Sequence, residues 1–223
     1  MQNSFHLKMN LIAGSTGFLG NHLLLELNSK SEDIIALSRR TIPNLPEKIE
    51  ELLIDFDQLS ELKFPRIDRI YLSLGYPLYY QNVMGFMSKK LKEDFFQVDF
   101  SYQLEIARKA KEAGAKSITL ISACGADSNS WNYYLKTKGM LEKEIIKLGF
   151  ETTNIFQPGH LRGNKLRLDI IVADLVSIVI DPFLHGPFKK FRSISVKKLS
   201  SSVINYSLSS VKGVNYFKFE DFH

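Results

Sequence analysis

The sequence predicts a doubly wound, mostly parallel α/β sheet forming one domain, and three observations carry that prediction. First, residues 7–26 read as an apolar strand, a turn spaced by Gly14, Gly17 and Gly20, and an amphipathic helix. Second, short apolar runs alternate with stretches of helical periodicity along the whole chain, the pattern of parallel strands joined by crossover helices. Third, the run Ser117-Ile-Thr-Leu-Ile121 is almost wholly apolar and β-branched, which suits a strand covered on both faces.

In the first unit each glycine has a physical reason. Gly14 lets the chain leave the strand in a tight turn, Gly17 lets the backbone approach a pyrophosphate, and Gly20 lets the helix pack closely on the sheet. The start of that helix presents free N–H groups and a positive dipole end to phosphate. Asp33 to Ser38 is the second strand. It ends in Arg39-Arg40, about twenty residues past the last glycine, where such a unit reads the ribose of a dinucleotide. An acidic residue there would accept from a 2′-hydroxyl. An arginine fork pairs with a 2′-phosphate instead, so NADP(H) is expected over NAD(H).

Lys48 to Ile54 reads as the third strand, followed by Asp55-Phe-Asp57, where an adenine would rest. A short helical stretch ends at Pro65, and Asp68 to Leu74 forms the fourth strand, closed by Gly75. Tyr76 to Lys90 is a long aromatic connection. It either lines a pocket or packs on the protein's own surface. Leu91 to Ala113 is helical, with Phe95, Val98, Tyr102, Ile106 and Lys109 at three- and four-residue spacing, and Gly114 is its C-cap. The fifth strand, Ser117 to Ile121, ends at Ser122. Residues Ser128 to Ser130 are expected to cap the next helix, which ends near Leu148-Gly149. Thr152 to Phe156 is the sixth strand, followed by Gln157-Pro158-Gly159-His160. A helix over about Leu166 to Ile180, a short strand near Ser193 to Val196, a helix from Lys198 and an end strand near Val214 to Phe219 complete the chain.

Composition excludes several classes. The net charge of +5 over 223 residues is modest, and Lys189-Lys190 and Lys197-Lys198 are isolated doublets, so no nucleic-acid partner is expected. Cys124 is the sole cysteine. An internal disulfide is excluded, and a reducing cytoplasm is the expected compartment. Residues 1–6 are polar and carry no signal-peptide pattern. The most apolar run, Ile170 to Ile180, is too short to span a bilayer and holds Asp174 in its middle. No membrane partner is expected; this helix reads as core or as a dimer face, with core favoured, and the chain as monomer or homodimer. His6, His22, His185 and His223 are scattered without zinc spacing, so no metal is expected.

Ser122, Tyr134 and Lys138 carry the chemical reading. Ser122 ends the fifth strand, where ligands of open α/β sheets bind, and Tyr134 and Lys138 lie four apart on the helix after it. A phenol titrates near 10, too high to exchange protons easily at neutral pH. A lysine one turn away favours the phenolate and lowers that value, and its ammonium can also hold the nicotinamide ribose. The serine hydroxyl can fix a substrate carbonyl, while Tyr134 delivers the proton. Tyr133 is the decoy, because its partner four residues on is Thr137. Cys124 reads as a packing residue rather than a nucleophile. His160 either borders the pocket or is structural.

With these motifs the chain resembles an atypical short-chain dehydrogenase/reductase. Ser122 to Asp127, Tyr134 to Glu142, Ser38-Arg-Arg40, Leu74-Gly75 and Gln157-Pro158-Gly159 are most similar to the Tat-interactive-protein oxidoreductase-like subgroup. The similarity runs from about Leu7 to about Gly163. It implies a Rossmann fold over residues 1–223, with a small substrate-side extension from about residue 160. It also implies a nicotinamide cofactor and a Ser-Tyr-Lys site. By position, Gly14, Thr16, Gly17, Phe18 and Leu19 would meet the cofactor phosphates, Arg39 the 2′-phosphate, Leu74 and Gly75 the adenosine side, and Pro158 the nicotinamide end. Two positions depart from the pattern. Gln157 stands where the subgroup usually carries arginine, and Asp99 where related enzymes often place asparagine.

The expected function is NADP(H)-dependent oxidoreduction of a small carbonyl or alcohol whose identity the sequence does not name. The alternative from another class is a cofactor-binding sensor or regulatory protein that turns over nothing. A nucleotide-sugar epimerase or dehydratase is disfavoured, since about sixty residues follow Gly163 and such enzymes carry a larger C-terminal region.

Overall fold

The computed structural model describes residues 9–30, 33–163 and 168–222. The expected first-strand residues Leu7 and Lys8, the helix start at Leu166, and His6 and His223 lie outside the described residues. The strands are β1 (Met9–Ala13), β2 (Asp33–Ser38), β3 (Ile49–Leu53), β4 (Arg69–Leu72), β5 (Ser117–Ile121), β6 (Thr152–Phe156), β7 (Leu161–Arg162), β8 (Ile194–Ser195) and β9 (Gly213–Phe217). Seven of them form one all-parallel sheet in the order β3-β2-β1-β4-β5-β6-β9, and β7 pairs with β8 apart from it. This is a Rossmann fold.

The helices are α1 (Phe18–Ser29), α2 (Tyr80–Val83), α3 (Lys89–Phe96), α4 (Gln103–Glu112), α5 (Tyr133–Lys147), α6 (Leu168–Ile180) and α7 (Val196–Ser209). Side chains alternate across each strand, so each strand feeds two cores. Leu11, Ala13, Ile35, Leu37, Ile70 and Leu72 enter one layer with Leu104, Ile106, Ala107, Leu141 and Ile145 of α4 and α5. Ile12, Ile34, Ala36 and Tyr71 enter the other with Leu19, Leu23, Leu27, Leu199 and Val203 of α1 and α7. Burial on both faces is why these strands read as continuous apolar runs.

The chain runs outward from β1 to β3, then returns to place β4 on the other side of β1. The strand order therefore reverses beside the carboxyl end of β1, the position where such sheets take a dinucleotide.

Three local expectations change. α3 and α4 are joined by a π-helical stretch, Gln97–Tyr102, which the sequence spacing presents as uninterrupted α-helix; the widened turn carries Asp99 to the buried side. α5 is capped by Asn132, whose side chain accepts from the Leu135 N–H at 3.2 Å, and not by Ser128 to Ser130. Ser130 instead accepts from the Asn132 N–H at 3.2 Å. The expectation that the apolar run at Ile170 to Ile180 is core does not hold over residues 175–180. Leu175, Val176, Ile178, Val179 and Ile180 are all exposed. A helix with apolar residues on most of its sides carries little periodic signal of which side meets the protein.

Candidate active site

The glycine turn is tightly built. Gly14 has φ +96°, and a Cβ there would lie 2.7 Å from the Ser73 carbonyl and the Leu74 nitrogen. A Cβ on Gly20 would sit 2.0 Å from the Gly14 carbonyl oxygen. Ser73 closes the contact, its N–H and hydroxyl both donating to the Ala13 carbonyl at 3.0 and 2.9 Å. α1 starts at Gly17 without a side-chain cap and without an acidic residue in its first turn, so its leading N–H groups are left for an anion. The Ser15 hydroxyl in the same turn is buried and has no partner among the described residues. These features fit a dinucleotide pyrophosphate. Thr16 and Gly17 are exposed, Phe18 is half-buried, and Leu19 is committed to the core, so Leu19 can offer a phosphate only its backbone. Gly20→Ala is expected to cost about 1–3 kcal/mol through overpacking, measured as thermal unfolding.

Arg39 and Arg40 are exposed at the end of β2, with the Arg39 guanidinium 5.4 Å from the centre of the Phe56 ring. Phe56 is buried beside it, so the Asp55-Phe-Asp57 stretch presents its flanks. Asp55 caps its own turn, and Asp57 accepts from the Tyr102 hydroxyl. Leu74 is buried and Gly75 exposed. A Cβ at Gly75 would meet no protein atom within 4 Å, so the backbone there faces open space.

The structure brings Tyr134 and Lys138 onto one face of α5, with the ammonium 6.0 Å from the centre of the tyrosine ring. The Tyr134 ring packs 5.6 Å from Phe95 of α3. Tyr133 points elsewhere, its hydroxyl donating to the Lys92 carbonyl at 3.4 Å and Lys92 lying over its ring. Lys138 is buried and forms a 2.7 Å ion pair with Asp99, itself 2% exposed. The other Asp99 oxygen accepts from the Tyr76 N–H at 2.7 Å. One carboxylate thus ties the start of the aromatic connection to the lysine. Burial works against the Lys138 charge, but Asp99, Tyr134 and Glu142 prevail and hold it above the ordinary lysine value.

The phenol differs from expectation. Burial pushes Tyr134 above its ordinary value, Lys138 pulls it back only in part, and Asp99 adds to the rise. Burial is the largest of these effects, and Asp99 opposes the lysine from beside it.

Ser122 is buried at the end of β5, and its hydroxyl donates to Glu142 of α5. Gln157 donates to both Glu142 oxygens at 3.0 and 3.2 Å. Pro158 is buried, and its carbonyl accepts from the Cys124 N–H at 2.9 Å. Burial raises the Cys124 thiol, which matches a packing residue. His160 pairs with Asp174 of α6 at 2.6 Å, and Asp174 also accepts from the Gly163 N–H at 3.0 Å. The charge inside the apolar run is thus an anchor for the segment after β6.

Sequence reasoning missed Glu142 and Gly139. A Cβ on Gly139 would lie 2.3 Å from the Ser128 nitrogen, so the loop after β5 rests directly on α5. A glycine inside a helix is unfavourable unless another backbone approaches, and that was the available signal.

The model of the NAD dependent epimerase/dehydratase family matches residues 10–132. The chain belongs to this family. Among relatives, "Protein FMP52, mitochondrial" of Candida glabrata is 31% identical over 158 residues, covering 70% of this chain and 64% of its own length. The Debaryomyces hansenii protein of the same name is 32% identical over 184 residues, covering 80% and 77%. The chain thus spans less than two thirds of the first of these relatives. The expectation of a cytoplasmic chain is overturned by these relatives, both named mitochondrial. A lone cysteine excludes an internal disulfide without separating one reducing compartment from another. Among solved structures, human epimerase family protein SDR39U1 with NADPH shares the fold at a TM-score of 0.64 and 17% identity, covering 94% of this chain and 74% of that one. The family model's match includes the glycine turn. Among the described residues, no helix is long and apolar enough to cross a membrane.

Proposed function

We propose that this family member is an NADP(H)-dependent oxidoreductase that reduces a small carbonyl, with Tyr134 as proton donor, in the mitochondrion. The observation that carries the reading is the pairing on α5. Lys138 is kept charged by Asp99 at 2.7 Å, on the same face as a phenol that burial keeps protonated. A protonated phenol at neutral pH is an acid, which suits proton delivery to a carbonyl oxygen better than proton removal from an alcohol. When bound, the nicotinamide would supply the hydride. The turn from Gly14 to Leu19 would hold the pyrophosphate, Arg39 and Arg40 the 2′-phosphate, Leu74 and Gly75 the adenosine side, Lys138 the ribose, and Pro158 the nicotinamide end. The segment after residue 160, hung on Asp174, would border the substrate. The resemblance to the Tat-interactive-protein subgroup supports the same assignment.

A purified chain screened with NADPH against a panel of small aldehydes and ketones tests the reading, with consumption of NADPH the expected result. For cofactor choice, calorimetric titration is expected to show NADPH binding more tightly than NADH, and Arg39→Ala to lose about tenfold of that preference, equivalent to about 1.4 kcal/mol. Equal affinities in the unaltered chain would remove the argument from the arginines.

The second reading, a sensor that binds the cofactor without turnover, is favoured by one observation: the Ser122 hydroxyl is directed to Glu142. Tight NADPH binding with no turnover of any carbonyl would support it.

A further inference from the structure

Ser122, Glu142 and Gln157 form a buried cluster that the catalytic reading leaves unexplained. Their exposures are 5%, 6% and 9%, so their hydrogen bonds are made within the protein. An ionised carboxylate only accepts. While Glu142 is charged it accepts from the Ser122 hydroxyl and the Gln157 amide, and Ser122 has only lone pairs left to show a substrate. A carbonyl oxygen is also an acceptor, so Ser122 in this state has nothing to offer it. A neutral Glu142 carboxyl carries one O–H. It can donate that proton to the Ser122 oxygen, still accept from Gln157 on its other oxygen, and release the Ser122 proton toward substrate.

We propose that Glu142 is the positioning residue for Ser122, so that Ser122 donates to a substrate carbonyl only while the Glu142 carboxyl is neutral. The proposal rests on the oxidoreductase reading. No proton leaves Glu142 for product; the reaction's proton still comes from Tyr134, and Glu142 sets only the direction of one hydroxyl.

The surroundings make the neutral form accessible. Ser122 faces Glu142 from the end of β5, Gln157 from the end of β6, Lys138 from one turn earlier on α5, and Tyr216 and Lys218 from β9 and the residue after it. Burial raises the carboxyl; Gln157, Ser122, Lys138 and Lys218 pull it back without cancelling the rise. Lys138 is spent on Asp99 at 2.7 Å. At position 157 stands a neutral amide, which hydrogen-bonds the carboxylate without supplying a charge to hold it ionised.

The test follows Glu142 directly in the full chain labelled with carboxyl-¹³C glutamate, Glu142→Gln identifying its resonance. Glu142 is expected to titrate above the exposed glutamates, whose ordinary value is about 4.3. Gln157→Arg is expected to lower its midpoint by about one to three pH units, and Ser122→Ala to raise it. Titration alongside the exposed glutamates, or a midpoint that neither substitution moves, overturns the proposal and leaves the oxidoreductase reading standing. In carbonyl reduction, the unaltered chain should lose kcat as pH rises through the Glu142 midpoint. Glu142→Gln, whose amide donates permanently to Ser122, should stay within about threefold of the low-pH rate across that window, by the same donor–acceptor logic. A Glu142→Gln profile identical to that of the unaltered chain also overturns the gating. Failure of the unaltered chain to turn over any carbonyl overturns the oxidoreductase reading and the gating with it, and the ¹³C titration separates that case from the first.

Discussion

Asp99→Ala is expected to cost about 3–5 kcal/mol of folding stability, because it leaves the buried Lys138 ammonium without its counter-charge. For a chain of this size that is a fall in melting temperature of about 6–20 °C. Two groups lose their partner at once: Lys138 loses a 2.7 Å ion pair, and the Tyr76 N–H loses its 2.7 Å acceptor. Asp99→Asn separates the two effects, since an amide oxygen still accepts from Tyr76 while the charge is gone. It should fall between the unaltered chain and Asp99→Ala. The double variant Asp99→Ala/Lys138→Met should recover much of the loss, because removing both charges no longer strands one of them. Thermal or urea unfolding of the unaltered chain, Asp99→Ala, Lys138→Met and the double variant measures the cycle, with Asp99→Asn measured beside them. A single Asp99→Ala that costs less than about 1 kcal/mol, the ordinary range of an exposed pair, would show that Lys138 finds water or another partner.

Tyr134→Phe is expected to lower kcat for carbonyl reduction by about 10²–10⁴-fold, the usual worth of a positioned proton donor, with NADPH affinity changed by less than about twofold because the ring and its Phe95 contact remain. Tyr133→Phe should change kcat little, since that hydroxyl is spent on the Lys92 carbonyl. The pH dependence has a definite sign. Burial raises Tyr134, so the donating form persists above the ordinary phenol value, and the loss of reduction assigned to Tyr134 lies alkaline of about 10. The limb assigned to Glu142 belongs to a carboxyl and lies to the acid side of the phenol's, so one pH profile distinguishes the two groups. Equal losses in the two tyrosine variants would remove Tyr134 from the donor role.

Some of the site was legible from spacing alone. Tyr134 and Lys138 four apart on a helix must share a face whatever surrounds them, and Gly14 and Gly20 flank a turn whose backbone contacts leave no room for a Cβ. Other parts depend on what comes from elsewhere in the chain. The expectation that Lys138 would lower the phenol considered two residues on one helix. The structure adds burial of the phenol, the largest effect, and Asp99 from an element more than thirty residues away, and together they reverse the sign of the net effect. The Ser122 proton is settled likewise by Glu142, two turns along α5 from Tyr134, which Gln157 at the end of β6 holds by its amide.

The sequence by itself determined the alternation of strands and helices, a doubly wound and mostly parallel sheet, the glycine turn and the shared face of Tyr134 and Lys138, because each is written in local periodicity or in steric demands within a few residues. Only the tertiary structure decided which charges meet. The π-helical turn at Gln97–Tyr102 carries Asp99 inward, the exposed apolar face of α6 hangs from Asp174, and Ser122 is turned to Glu142. Electrostatic interactions and hydrogen bonds in a buried site depend on distances between groups remote in sequence. No period of 2 or 3.6 residues encodes those distances.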